Sequence, residues 1–163
     1  MDNNTISKIV TDVVSQMQQA SNTQSITLAK AKRLIERVEQ KAAQMGVKAV
    51  VAVSNAAARP VAIECMDDSY IASYDVALNK AYTVVALKMS TIKLKGLSNP
   101  GQSLYGIQFT NGGQIVIFGG GDPLVYNGKI IGGLGVSGGS EEQDTELSAY
   151  GASILPEIMK GEI

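Results

Sequence analysis

Histidine is missing from all 163 residues. Its absence removes Ser-His-Asp and Cys-His catalysis, imidazole-ligated zinc and His-ligated haem from consideration. Cysteine occurs once, at Cys65. One thiol forms no intramolecular disulfide, so the chain reads as a protein of a reducing compartment. A lone cysteine is more often a small buried hydrophobe than a nucleophile. Excess charge is also lacking: 14 Lys and Arg stand against 15 Asp and Glu, for a net charge of −1. Nothing here drives association with nucleic acid or anionic lipid, and no basic stripe with interleaved aromatics appears. No apolar run approaches the roughly 20 residues needed to span a bilayer. The N-terminus has no basic segment leading into an apolar block, so it is not read as a secretory signal.

What is present suffices for a core. Hydrophobic residues make up 45% of the chain, and the length suits one domain with a short appendage. In residues 1–19, Ile6, Ile9, Val10, Val13, Val14 and Met17 recur at i, i+3, i+4, i+7, i+8 and i+11. That spacing predicts an amphipathic helix with one continuous apolar stripe. A helix so short and so rich in β-branched residues is marginal alone and needs a surface to dock on. Residues 20–25, "ASNTQS", read as a polar linker. The main domain then occupies residues 26–163.

Within it, Thr27 is placed to cap a second helix whose stripe is Leu28, Ala31, Leu34, Ile35, Val38 and Ala42, with Gly46 as its stop. Residues 47–55 are nearly continuous in apolar character and predict a buried strand, paired with a second strand in "VAIECM". Residues 67–90 read as helical, in one or two pieces, with Asp68 or Ser69 as cap. A long irregular stretch with room for one short helical turn follows over 91–113. Residues 114–140 read as strand, Gly-rich turn, strand, Asn127-Gly128 turn and strand. Ser140 and Gln143 form a capping box at the start of a closing helix, where Glu141, Glu142 and Asp144 suit the positive helix end. The expected fold class is α/β: a mainly antiparallel sheet of about five strands covered by helices, plus the N-terminal amphipathic helix.

The segment "FGGGDPLVYNGKIIGGLGVSGGSEEQDTELSAYGA", residues 118–152, resembles the signature of the GlcG/HbpS-like family, the haem-degrading or haem-binding domain. Matching positions are Gly119, Gly120, Pro123, Gly128, Gly132, Gly135, Val136, Ser137, Gly138, Gln143 and Asp144. Upstream, Met66, Asp67, Ala77, Lys80, Ala81 and Thr83 match a second family motif. The resemblance covers about residues 26–158. It implies a profilin-like sandwich, assembly into symmetric homo-oligomers including octamers, and a haem or corrinoid ligand. The chain departs from the pattern in having Asn55 where the family has Asp, Cys65 where a basic residue is common, and no histidine. The last departure weighs against haem. The segment "TISKIVTDVVSQM" is similar to the encapsulation peptides that direct enzymes into bacterial microcompartments. That implies a bacterial cytoplasmic protein held inside a microcompartment, with a shell or cargo protein as partner of the stripe. The alternative is that the stripe packs on its own domain or between subunits.

The candidate ligand-binding residues are Asp67, Lys80, Gly119, Gly120, Gly121, Asp122, Ser137 and Gly138. Glycines let a backbone approach a bound group, or simply make tight turns. The stretch Ser137–Ser140 leads into a helix N-terminus that binds an anion, or caps itself. Lys80 lies on a helix of small residues, free to pair with Asp67 or reach a pocket. Tyr70, Tyr74 and Tyr105 are placed to line an apolar pocket or to pack between subunits. Three functions compete: a non-catalytic accessory protein binding a small cofactor-like or tetrapyrrole-like ligand; a small metabolic enzyme using Lys80, Asp67 and the Gly119–Asp122 turn in one pocket; and a purely structural oligomer. No catalytic residue and no metal ligand are assigned.

Overall fold

The computed structural model describes residues 5–12 and 25–163. Residues 5–12 form a helix, α1, on which every residue is exposed, Ile6, Ile9 and Val10 among them. Val13, Val14 and Met17 of the expected stripe, and residues 20–24 of the expected linker, lie outside the described residues.

The main domain begins with Ile26, whose N–H donates to the Ile131 carbonyl at 2.8 Å. Helix α2, Leu28–Gln44, starts at Thr27, whose hydroxyl accepts from the Lys30 N–H. It ends at Met45 with Gly46 in the left-handed region (φ 69°). Its buried stripe is Ala31, Leu34, Ile35, Val38 and Ala42, as its spacing predicts, except that Leu28 stays exposed.

Two hairpins make one four-stranded antiparallel sheet. Strands β1 (Val50–Asn55) and β2 (Pro60–Cys65) form the first, and β3 (Gly121–Tyr126) and β4 (Lys129–Ser137) the second. The order is β2-β1-β4-β3. The Asn127-Gly128 turn has both residues at positive φ, 49° and 74°, which gives the twist that a two-residue hairpin requires. Strand β1 is buried on both faces. Val51 and Val53 join the large core with α2, whereas Val50 and Ala52 meet Ala77 and Ala81 on the opposite face. That period-two division explains the continuous apolar run read from the sequence.

Helix α3, Ser73–Ala86, covers the second face. It lies close because β4 is glycine-rich beneath it: a Cβ on Gly135 would sit 2.0 Å from the Ala77 carbonyl oxygen, and one on Gly133 would sit 2.3 Å from that of Ala81. Helix α5, Glu141–Lys160, carries the expected capping box and packs with α2 on the first face. The result is three layers, with α2 and α5, then the sheet, then α3.

Three expectations need correction. Among the described residues the sheet has four strands, not about five, because residues 114–118 do not join it. Ile115 and Val116 are buried, but the Val116 N–H is held by the Thr83 hydroxyl at 3.0 Å instead of by a strand. Neither Asp68 nor Ser69 caps α3: Asp68 has φ 63° and its carboxylate bonds Lys48, while the cap position is Ala72 with no side-chain bond. The region 91–113 opens with a true helix, α4 (Thr91–Ser98), capped by Ser90, and then becomes two short 3₁₀ turns.

Candidate functional site

Lys80 is wholly buried on α3. A buried ammonium is costly unless its protons are all placed. Its Nζ donates to the Val136 carbonyl at 2.7 Å and to Asp144 Oδ2 at 2.9 Å, and stands 5.0 Å from the Phe118 ring centroid. Asp144, on the first turn of α5, is completed by the Gly139 N–H on Oδ1 at 2.9 Å. Burial pulls Lys80 below and pushes Asp144 above its ordinary pKa, each opposed by the attraction of the other. Lys80 thus pairs with Asp144 and not with Asp67, which is exposed.

The Gly119–Gly121 segment wraps this pair. Gly120, at φ 106°, leaves no room for a Cβ, which would fall 2.5 Å from Lys80 Nζ and 2.7 Å from the Val136 oxygen. The Gly119 N–H donates to Glu141 Oε1 at 2.8 Å, and the Gly121 N–H to the Thr91 hydroxyl at 2.9 Å. Glu141 also pairs with Lys95. The Gly119 bond and then Lys95 hold its carboxyl below the usual range. One segment is therefore tied to α4 and α5 and packs against Lys80 of α3.

Beside it opens a cleft of about 310 Å³, lined by Tyr70, Ala72, Ser73, Val76, Phe118, Ser137, Gly138, Gly139, Glu141 and Asp144. Ser137, at the end of β4, and Ser73, at the start of α3, are both buried, and the Ser137 hydroxyl donates to that of Ser73 at 3.1 Å. Of the expected site residues, Ser137 and Gly138 line this cleft, and Lys80, Gly119 and Gly120 stand directly behind it. Asp122 does not: its carboxylate accepts from Ser148 at 2.7 Å on α5, and burial raises its pKa. Tyr70 joins the lining, but Tyr74 and Tyr105 do not.

Asp67 belongs to a separate groove of about 570 Å³ that also includes Glu39, Lys48, Glu64, Cys65 and Met66, between the end of α2 and the edge strand β2. The enzyme arrangement that unites Lys80, Asp67 and the Gly119–Asp122 turn therefore does not form. The N–H groups leading into α5 are occupied by Asp144 and the capping box, so this helix start serves itself and holds no anion slot. Ser73, Phe118 and Asp144 were missed as site residues in the sequence. For Asp144 a signal existed: a buried lysine on a small-residue face requires a carboxylate opposite, and Asp144 is in the family motif.

A haem ligand, implied by the resemblance, meets an unsuitable donor set. Met66 already accepts the Ala49 N–H on its sulfur at 3.3 Å, Cys65 is exposed on the edge strand, and Lys80 is held by Val136 and Asp144. Inside the cleft the only side chain of a type that ligates haem iron is the phenol of Tyr70, a residue 73% exposed. No buried side chain of that type lines the cleft.

The family model for the haem-degrading protein HbpS-like group matches residues 26–153. The chain is 42% identical over 142 residues to the uncharacterized 15.0 kDa protein in the dhaT-dhaS intergenic region of Citrobacter freundii, covering 87% of this chain and 100% of that one. It is 38% identical over 116 residues to the corrinoid adenosyltransferase PduO of Salmonella typhimurium, covering 71% of this chain but 34% of that protein. Among solved structures, the PduOC:heme complex superposes with a TM-score of 0.76 at 34% identity, over 79% of this chain and 94% of that one. With residues 26–153 matched, this chain belongs to the HbpS-like family.

Proposed function

We propose that the protein is a non-catalytic accessory of a bacterial microcompartment that holds a small cofactor-like ligand. The observation that carries the ligand-binding reading is the cleft of about 310 Å³ between Phe118 and the Ser73–Ser137 pair, in a fold shared at 34% identity with a protein solved with haem. The chemistry of the cleft favours holding over reacting. Its buried lysine and aspartate neutralise each other, its glycine N–H groups are occupied, and no unpaired base faces a hydroxyl.

Delivery is assigned to residues 1–19, joined by the 20–25 linker to the domain over 26–163. Support comes from the exposure of Ile6, Ile9 and Val10 on α1, an apolar edge fit for a groove on a shell or cargo protein. Self-assembly belongs to the same reading. Ile71, Phe109, Tyr70 and Tyr105 are 96%, 83%, 73% and 64% exposed, large apolar side chains that a partner copy would cover.

Native mass spectrometry of the purified protein, with a visible absorption spectrum and with haem or cobalamin added, tests this reading. The expected result is a discrete oligomer carrying a small molecule. A monomer with no bound mass would overturn it, and a Soret band shifted by specific binding would show that iron is held without imidazole. Deleting residues 1–20 should abolish co-purification with shells and leave the domain folded; unchanged encapsulation rejects the delivery role.

A further inference from the structure

We infer that the cleft selects an uncharged planar ring bearing a hydrogen-bonding edge, such as an amide or ring carbonyl, and excludes carboxylates and phosphates. This rests on the ligand-holding reading above and names the class of ligand.

Two walls of the cleft are aromatic, Tyr70 and Phe118. Phe118 is 41% exposed, so part of its ring remains for a ligand to cover, and flat apolar partners suit such a surface. At the floor lie Ser73 and Ser137, 5% and 7% exposed. Two hydroxyls offer two protons, and their mutual bond uses one. One of the two hydroxyl protons has no acceptor among the described residues, and the oxygens keep lone pairs to spare. A buried hydroxyl proton without an acceptor is costly, and a ligand carbonyl would relieve it.

Charge decides the rest. The lining contains Glu141 and Asp144 but no lysine or arginine. Both carboxylates are already compensated, Asp144 by Lys80 and the Gly139 N–H, Glu141 by Lys95 and the Gly119 N–H. An anion would meet them with no cation of its own. A cation would compete with lysines already in place. A neutral group meets neither penalty.

Three near-isosteres separate these cases: benzamide, benzoate and benzamidine, titrated into the full chain and followed by amide chemical shifts and calorimetry. Benzamide should bind saturably with shifts centred on Ser73, Phe118, Ser137 and Gly138. Benzoate should bind at least about tenfold more weakly, and benzamidine no more tightly than benzamide. Ser73→Ala should weaken benzamide by about fivefold, the loss of one hydrogen bond. Phe118→Leu provides a second, surface-tolerated variant and should weaken it similarly.

Tighter binding of benzoate or benzamidine, shifts elsewhere, or no effect of either substitution would overturn the assignment. Should benzamide leave the cleft untouched while the purified oligomer still carries a bound small molecule, this inference fails and the ligand-holding function stands. Should that bound mass also be missing, both fail.

Discussion

Lys80 Nζ and Asp144 Oδ2 lie 2.9 Å apart, both side chains almost wholly out of solvent, one on α3 and the other on α5. The pair connects the two helices that flank the sheet, passing the end of β4 where the Val136 carbonyl takes another Lys80 proton. Removing one partner leaves the other charged and buried. Lys80→Met is expected to cost about 3–5 kcal/mol, a large share of the roughly 5–15 kcal/mol that holds a typical domain. The double variant Lys80→Met/Asp144→Leu should recover part of that loss. It should not recover all, because Asp144 also accepts the Gly139 N–H. Urea denaturation of wild type, both single variants and the double variant measures the coupling; a single-variant loss below about 1 kcal/mol would show that the pair is not buried in solution.

The contact between α3 and β4 makes a second prediction. Gly135 faces the Ala77 oxygen and the Ala81 nitrogen, at 2.0 and 2.7 Å from a hypothetical Cβ. Both atoms are backbone, so α3 itself must move to admit a methyl group. Gly135→Ala should therefore cost about 3 kcal/mol. Gly96 provides the contrast: it is exposed on α4, its Cβ would meet nothing within 4 Å, and its φ is not positive. Gly96→Ala should stabilise by about 0.5–1 kcal/mol. Parallel thermal melts decide it; equal effects at the two glycines would mean that close packing of α3 is not what β4's glycines provide.

These two sites also show how far the sequence could be read. The stripe of α2, the Asn127-Gly128 turn and the Ser140–Gln143 box are local devices, each set by residues within one turn of each other, and each is visible in the chain. The small residues of α3 were legible too, but the β4 glycines that let it lie close were not. The partner of Lys80 was not, since 64 residues separate it from Asp144 and only the fold chooses among the nearby carboxylates. Residues 114–118 mislead for a related reason. Their apolar run looks like a strand, but the Val116 N–H is claimed by the Thr83 side chain of a distant helix, and the Gly119 N–H just beyond the run by Glu141. Ser73 gives no sequence signal at all: a serine in a helix's first turn is ordinary until Ser137 is found opposite.

Asp122 yields a pH prediction with a definite sign. Burial raises its carboxyl above the ordinary 3.8, and the Ser148 hydroxyl bond opposes this only in part. The folded state thus holds the proton more tightly than the unfolded chain does. Its contribution favours folding in full below about pH 3.8 and is lost as pH rises through the folded-state value, so at pH 7 the ionised carboxylate is a net cost. Asparagine keeps an oxygen for Ser148 and carries no charge. Asp122→Asn should raise the melting temperature at pH 7 by about 2–4 °C, equivalent to about 1 kcal/mol after allowing for residual solvent contact. The gain should shrink as pH falls and vanish near pH 3.5, where wild type is protonated as well. Melting curves of both proteins from pH 3.5 to 8 trace the difference. A variant that is less stable at pH 7, or a gain that does not vary with pH, would mean that Asp122 sits ionised without penalty and that the Ser148 bond outweighs its burial.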